Sequence, residues 1–333
     1  MKNTQRGLHG PLSCIYICQV KTHTLLNTLR DVQNAVVTMG TFDGVHLGHL
    51  RVIQHLNEIA KSTGGESVLI TFDPHPRQLL YPEGPSIQLL NSLEEKKERL
   101  QLAGLDHFVI IPFTKEVAQL SAFDFVREYF KNALQAKQVV VGYDHRFGRG
   151  REGNFETLQE LSTVFGFSAQ RMEAATTSDS TLIISSTKIR QALAEGNIRL
   201  ANNMLGYAYE ISGAIVHGDA RGKTLGFPTA NLKPLDKNKI IPANGVYLVR
   251  CSVKGRLAYG VTNIGVRPTF VTDQRTTIET HLLDWNEDIY NEEMKLSFLM
   301  RLREEKKFSS LEALQQAIHE DLQQARDAIS QFD

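Results

Sequence analysis

Short apolar runs alternate with amphipathic helical patterns over the first two-thirds of this chain, and no other feature of the sequence restricts the fold as tightly. The runs Ala35–Thr38, Ser67–Phe72, Phe108–Ile111 and Gln138–Val141 are continuously apolar rather than alternating, the mark of strands buried on both faces. Helical periodicity separates them at Leu47–Ala60, Ser92–Ala103 and Ala122–Leu134, and returns at Phe155–Phe165, Ser186–Ala194 and Ile198–Leu205. Phe167–Glu173 reads as one more strand. Buried strands alternating with helices predict a parallel sheet covered on both sides, a doubly wound α/β domain. The pattern over Ser92–Ala103 opens on a capping box, Ser92 with Glu95.

After about Gly206 the texture changes. Tyr209–His217, Gly245–Ser252, Leu257–Val266, Thr277–Leu283 and Lys295–Leu302 mix apolar and polar residues, with Gly, Pro and Asn between them. That pattern predicts an antiparallel sheet or small barrel. A last helix is expected from a second capping box, Ser309 with Glu312, packing through Leu311, Leu314, Ile318, Leu322, Ala325 and Ile329. The expected division is an extension over residues 1–14, one domain over 15–205 and a second over 206–333.

Composition narrows the function. The 333 residues carry 37 Lys and Arg against 37 Asp and Glu. The balance holds in each part, 21 basic to 20 acidic through Leu205 and 16 to 17 beyond it. Neither part has the basic excess of a nucleic-acid binder. No run approaches the ~18 apolar residues of a membrane span, and the opening MKNTQRGLHGPLSC lacks the apolar core of a signal peptide. Cys14, Cys18 and Cys251 cannot build a disulfide framework, which predicts reduced thiols and a cytoplasmic location. Small molecules are the expected partners; no oligomeric state is legible.

The densest cluster of chemistry lies at Gly40–His49, GTFDGVHLGH, between the first strand and the first helix. In an open parallel sheet ligands gather at the carboxyl ends of strands, and helix N-termini offer free N–H groups to phosphate. Gly40 and Gly44 let backbone approach an anion. His46 and His49, three apart at the helix start, share a face and can donate hydrogen bonds to charge growing on phosphorus. A glycine turn can also be only a turn, and a His pair can be surface decoration or half of a metal site that needs a third ligand.

Taken whole, GTFDGVHLGH resembles the signature of the HxGH nucleotidyltransferases. Three further words narrow the likeness: Thr71–Pro76 (TFDPHP), Val141–Gly150 (VGYDHRFGRG) and Ile184–Arg190 (ISSTKIR). Together they look like the adenylyltransferase half of the bacterial bifunctional riboflavin kinase/FAD synthetase family. The resemblance implies a Rossmann-like nucleotidyltransferase domain followed by a small antiparallel β-barrel domain with a C-terminal helix. It implies that His46 and His49 stabilise charge at the α-phosphate of ATP. Gly40, Phe42, Asp43, Gly44, Ser186, Thr187 and Arg190 would bind ATP and its phosphates, with His75 and Asp144 positioning the flavin substrate. Lys188 stands where Arg is usual, Thr41 where Asn or Val is common, Asp144 where Asn often sits, and His145 replaces a frequent aromatic.

In the second part, Gly226–Leu232 (GFPTANL) follows the glycine-rich approach His217–Leu225 (HGDARGKTL). Gly218, Gly222, Lys223, Gly226 and Pro228 can wrap a nucleotide's phosphates; Lys223 occupies a position often Arg in the family. Thr229 and Asn231 offer hard oxygens on one side of an extended chain, suited to Mg²⁺. The bland reading is a β-turn with a capping Asn. The words PANGVY, NIGVRPT and ETHLL come next, at spacings that resemble flavokinase domains, and that likeness makes Glu279 the base for the ribityl hydroxyl of riboflavin. The implied activity is two-step: riboflavin and ATP to FMN, then FMN and ATP to FAD and pyrophosphate. A single-activity nucleotidyltransferase, or a flavin sensor without turnover, is the alternative.

Overall fold

A computed structural model describes residues 19–24, 29, 31–84, 87–173, 175, 183–217, 226–267 and 275–332. The 1–14 extension, Cys14, Cys18, Gly218, Gly222 and Lys223 lie outside the described residues.

The first part is a six-stranded, all-parallel sheet. Its strands are β1 (Lys21–His23), β2 (Val36–Met39), β3 (Ser67–Asp73), β4 (His107–Pro112), β5 (Gln138–Val141) and β6 (Ser168–Arg171). They lie in the order β1-β4-β3-β2-β5-β6, so the winding reverses between β2 and β5. Helices α1 (Leu47–Thr63), α2 (Pro76–Leu80), α3 (Leu93–Leu102), α4 (Lys115–Gln119), α5 (Ala122–Phe125) and α6 (Phe155–Phe165) connect them. Both faces are covered. Ile53, Leu56 and Leu100 pack on Val36, Leu69 and Phe108 from one side; Phe125, Phe130 and Leu158 pack on Val37, Ile70 and Val139 from the other. Each such fully buried aliphatic side chain contributes about 1.5–3 kcal/mol.

The second part is a closed antiparallel barrel in the order β10-β11-β8-β7-β12-β9. Its strands are β7 (Tyr209–Val216), β8 (Ala230–Pro234), β9 (Gly245–Val253), β10 (Arg256–Arg267), β11 (Arg275–Leu282) and β12 (Glu293–Arg303). Helices α7 (Ser186–Ala194) and α8 (Ile198–Leu205) precede the barrel in sequence but share its core. Ile189, Leu193, Met204 and Leu205 sit in one cluster with Tyr209, Tyr247 and Phe298. Free Cys251 is buried in the same cluster, and burial pushes its thiol up to about 12, so it is unreactive.

Several elements depart from the sequence expectation. The helix over Ala122–Leu134 is α-helical only to Phe125; Val126–Ala133 take the wider i→i−5 turn, with Val126, Tyr129 and Phe130 all buried. The last helix, α9 (Leu311–Ile329), is capped by Ser310 on the Ala313 N–H rather than by Ser309 with Glu312. Its buried seam is Ala317, Asp321, Ala325 and Ala328, while Leu311 is exposed. The rotation follows from Asp321, whose carboxylate takes both Nε and a terminal nitrogen of Arg303 at 2.8 Å, with alanines letting the helix come close. Strands β1 and β8 have no counterpart among the expected runs.

Candidate active sites

The winding reverses between β2 and β5, and in sheets of this kind ligands settle at the carboxyl ends of the strands beside such a reversal. The loop after β2 is Gly40–His46, and the loop after β5 carries Asp144 and His145. Phe42, Gly44 and Val45 in the first loop have φ of 45°, 90° and 33°. For a β-branched residue such as Val45 this conformation costs on the order of 1–3 kcal/mol and persists only where surroundings enforce it. Gly44 is required twice over, since a Cβ there would lie 2.7 Å from Leu90 Cδ1.

Four consecutive carbonyls of the loop are engaged. Thr41 accepts from Lys96 Nζ (2.7 Å) and Thr71 Oγ1 (3.3 Å), and Phe42 from Val45 N (3.2 Å). Asp43 accepts from Ser186 Oγ (2.8 Å) and Gly44 from the Tyr207 hydroxyl (2.6 Å). With its carbonyls occupied inside the protein, the loop does not turn them on an incoming anion.

His46 is the N-cap of α1, and its Nδ1 accepts from the His49 N–H at 3.3 Å. An accepting Nδ1 fixes the proton of the neutral ring on Nε2, which makes Nε2 a donor. The two imidazoles stack at 3.6 Å and 13°, and Phe42 stacks on the far side of His49 at 4.5 Å. Burial first, then the neighbouring His46 and Lys96, hold His49 well below the usual imidazole range; burial pulls His46 down to about 4. Both rings are therefore neutral near pH 7. The Nδ1 of His49 is buried with no hydrogen-bond partner among the described residues, an orphan that a ligand would satisfy.

His75 caps α2 with its Nδ1 on the Arg77 N–H, and burial takes it down to about 4, with Asp43, Arg190 and Lys96 as its charged neighbours. The structure thus gathers His46, His49, His75 and Arg190 and adds buried Lys96. Lys96 hides in sequence within the charged run LEEKKERL, its one signal being a place in line with Leu93 and Leu100 on the inner face of α3.

Asp43 and Arg190 are engaged with each other. Asp43 accepts from Leu90 N (3.0 Å), Asn91 N (3.2 Å) and the Arg190 guanidinium, and Arg190 Nε also donates to Gln88 O (2.7 Å). Two of the five guanidinium N–H groups are accounted for this way, leaving others for a ligand. Ser185 caps α7, and Thr187 is exposed in its first turn. Asp144 is exposed in the turn that follows β5.

His145, beside it, has a buried Nε2 with no partner among the described residues and lies 6.0 Å from the Phe147 ring. Burial, then Arg151, hold it at about 4, whereas an unfolded imidazole titrates near 6.5. Between those values the unfolded chain binds a proton that the folded one refuses, so stability falls as pH drops, by up to about 1.4 kcal/mol per pH unit for this ring. Substituting phenylalanine removes that loss. The thermal midpoint of His145→Phe relative to the parent, measured by calorimetry, is expected to rise from about pH 7.5 to about pH 5. A difference flat with pH would show that the ring does not stay neutral in the fold.

On the barrel, Glu279 of β11 pairs in register with Asn231 of β8 on one side and Asn263 of β10 on the other. Strand alternation sets the face. Thr280 and Thr262 are buried with their hydroxyls 2.8 Å apart, and Ala230 is buried, so Glu279 and Asn231 share the outer face. Thr229 precedes β8 by one residue, next to exposed Pro228 and Gly226, whose φ is 88°. His281, two residues after Glu279, has its Nδ1 2.8 Å from Pro228 O, and Phe227 packs edge-on against both His281 and His319 of α9. His281 and Asn263 were not among the expected site residues. The signal for His281 was its two-residue step from Glu279 along a strand.

Comparison with known proteins finds two family models in series. "FAD synthetase" matches residues 29–188 and "Riboflavin kinase" matches 205–329. A bifunctional riboflavin kinase/FMN adenylyltransferase of Listeria monocytogenes is 37% identical over 88% of this chain and 92% of its own length. The Escherichia coli K12 protein of that description is 38% identical over 89% and 93%. A crystal structure described as a macrolide-efflux protein from Streptococcus pneumoniae superposes with a TM-score of 0.83 at 30% identity, covering 92% of this chain and 99% of that one. Among the described residues no helix is long and apolar enough to cross a membrane.

Proposed function

Since this chain belongs to the bifunctional riboflavin kinase/FMN adenylyltransferase family, phosphorylating riboflavin to FMN and adenylylating FMN to FAD with ATP in both steps, we propose how its residues share that work. Residues 15–205 form the adenylyltransferase unit and 206–333 the kinase unit, in a cytoplasmic protein whose partners are small molecules.

In the adenylyltransferase unit the FMN phosphate attacks the α-phosphorus of ATP directly, and pyrophosphate leaves. His46 and His49 act as neutral donors to the charge that builds on the α-phosphate. The observation that supports this is the stacked pair, with the proton of buried His46 fixed on Nε2 and a buried orphan nitrogen on His49. Gly40, Phe42 and Gly44 give the nucleotide its backbone approach, with Asp43 shaping the loop. Ser186, Thr187 and Arg190, at the start of α7, hold the departing pyrophosphate. His75 and Asp144 position FMN.

In the kinase unit Glu279 orients the ribityl hydroxyl and accepts its proton. Thr229 and Asn231 supply hard oxygens beside that carboxylate, a donor set that fits Mg²⁺. When bound there with ATP, the ion spreads the negative charge of the phosphates. Gly218, Gly222, Lys223, Gly226 and Pro228 wrap the nucleotide.

The test is a time course of riboflavin, ATP and Mg²⁺ with the purified chain, the flavins separated by chromatography. FMN should rise first and then pass into FAD. Repeating it in excess chelator should stop FMN formation. Undiminished FMN formation without a divalent ion would remove the metal from Thr229 and Asn231.

A further inference from the structure

We infer that Tyr207 and Lys239, both supplied from the barrel side of the chain, are positioning residues for adenylyl transfer: they lock the strained Gly40–His46 loop in the shape that presents His46 and His49. The inference rests on the assignment of adenylyl transfer to that loop.

Tyr207 stands between α8 and β7, and its hydroxyl donates to the Gly44 carbonyl at 2.6 Å. The peptide joining Gly44 to Val45 is planar and trans, so fixing its carbonyl fixes the Val45 N–H on the opposite side. That N–H in turn closes the turn onto Phe42 O at 3.2 Å. One peptide plane, between two adjacent residues with positive φ, is therefore pinned at both ends. Released, the plane would be free to rotate its carbonyl toward the phosphate path, where an oxygen dipole repels the substrate. The Tyr207 ring is itself clamped, with the Arg99 guanidinium 3.8 Å above it and Arg99 paired to Glu210 of β7.

Lys239 lies in the link between β8 and β9. Its Nζ donates to Leu90 O at 2.7 Å and pairs with Glu95, both charged groups being buried. The N–H of the same Leu90 donates to the Asp43 carboxylate at 3.0 Å. Leu89 N donates to Asn238 O and Ile240 N to Leu89 O, so barrel and loop support are laced together around residues 89–91. Neither Tyr207 nor Lys239 belongs to the groups proposed to meet ATP or flavin. Their effect on the reaction passes through Gly44 and Asp43.

A misplacement of about 1 Å caused by a change far from the chemistry costs up to about 100-fold in rate. Tyr207→Phe keeps the ring and deletes only the hydroxyl. In the full chain, given FMN and ATP, it should lower kcat for FAD formation about 10-fold, with KM for ATP and FMN within about twofold. FMN formation from riboflavin should stay within about twofold. The pair Lys239→Met with Glu95→Gln removes both buried charges together and should give the same kcat-selective loss. FAD formation at the parental rate in both variants would overturn the inference, as would a change confined to KM or an equal fall in both activities. If instead the parent chain made no FAD from FMN, or His49→Ala made it normally, the assignment of the loop would fail and take this inference with it.

Discussion

Replacing His49 by alanine is expected to abolish FAD formation while FMN formation continues at its usual rate. The ring lies between His46 and Phe42, and its Nδ1 is buried with no hydrogen-bond partner among the described residues. A neutral donor aimed at developing charge is worth about 10²–10³ in rate, because it needs no reorganisation when the charge appears. The substitution also leaves His46 without a stacking neighbour, so the loss should sit at the upper end of that range. The measurement supplies FMN and ATP directly and follows FAD, with riboflavin phosphorylation by the same preparation as the test that the chain is folded. Near-normal FAD formation would mean that the charge at the α-phosphate is stabilised elsewhere. Because burial takes His46 to about 4, the donor set should also survive mild acid. The chemical step in the parent should hold its rate from about pH 7.5 down to about pH 5.5, where an ordinary imidazole would be mostly cationic.

The mirror-image result is expected for Glu279→Gln. Glu279 lies in register between Asn231 and Asn263, and the amide keeps the side chain's shape but turns one acceptor oxygen into a donor and loses the ability to take a proton. Riboflavin phosphorylation should fall about 10²–10⁴-fold, the usual worth of a positioned base. FAD formation from supplied FMN should be unaffected. A variant that phosphorylates riboflavin normally would reduce Glu279 to a surface carboxylate, and loss of both activities would mean that the two sites are not separate.

The sequence displayed the sheet because its central strands are buried on both faces and therefore continuously apolar; β2 and β5 need no alternation to be recognised. It hid β1 because Lys21–His23 is a short polar edge, defined by pairing with β4 and not by its own composition. Strand β8 was hidden for another reason. GFPTANL reads as a turn up to Pro228, and only the pairing of its later residues with β11 on one side and β7 on the other makes a strand beyond it. Among the proposed site residues, His46 and His49 were legible because their spacing at a helix start is local chemistry, whereas Glu279 stood out only through the likeness of its word to flavokinase domains. Lys96 and Tyr207 were not, since each acts on the loop across a long stretch of chain, and nothing in spacing records such a contact. Asp43 and Arg190 show the same limit from the other direction. Their presence in functional words was plain, but their engagement with each other is visible only in three dimensions.

The sharing of one core by α7, α8 and the barrel has a consequence for anyone wishing to divide the molecule. The change from helix to strand near Gly206 is where a scalpel would naturally go, yet it is a poor seam. A cut there strips Ile189, Leu193, Met204 and Leu205 from Tyr247 and Phe298, leaving a greasy wound on each fragment. Two pieces made that way would be sticky and would tend to clump or rejoin. A break placed ahead of α7 keeps the oil-filled joint whole, but it carries Ser186, Thr187 and Arg190 away with the kinase piece. On the proposed assignment neither cut is expected to yield two complete enzymes, so the halves of this molecule are better regarded as lodgers sharing a wall than as beads on a string.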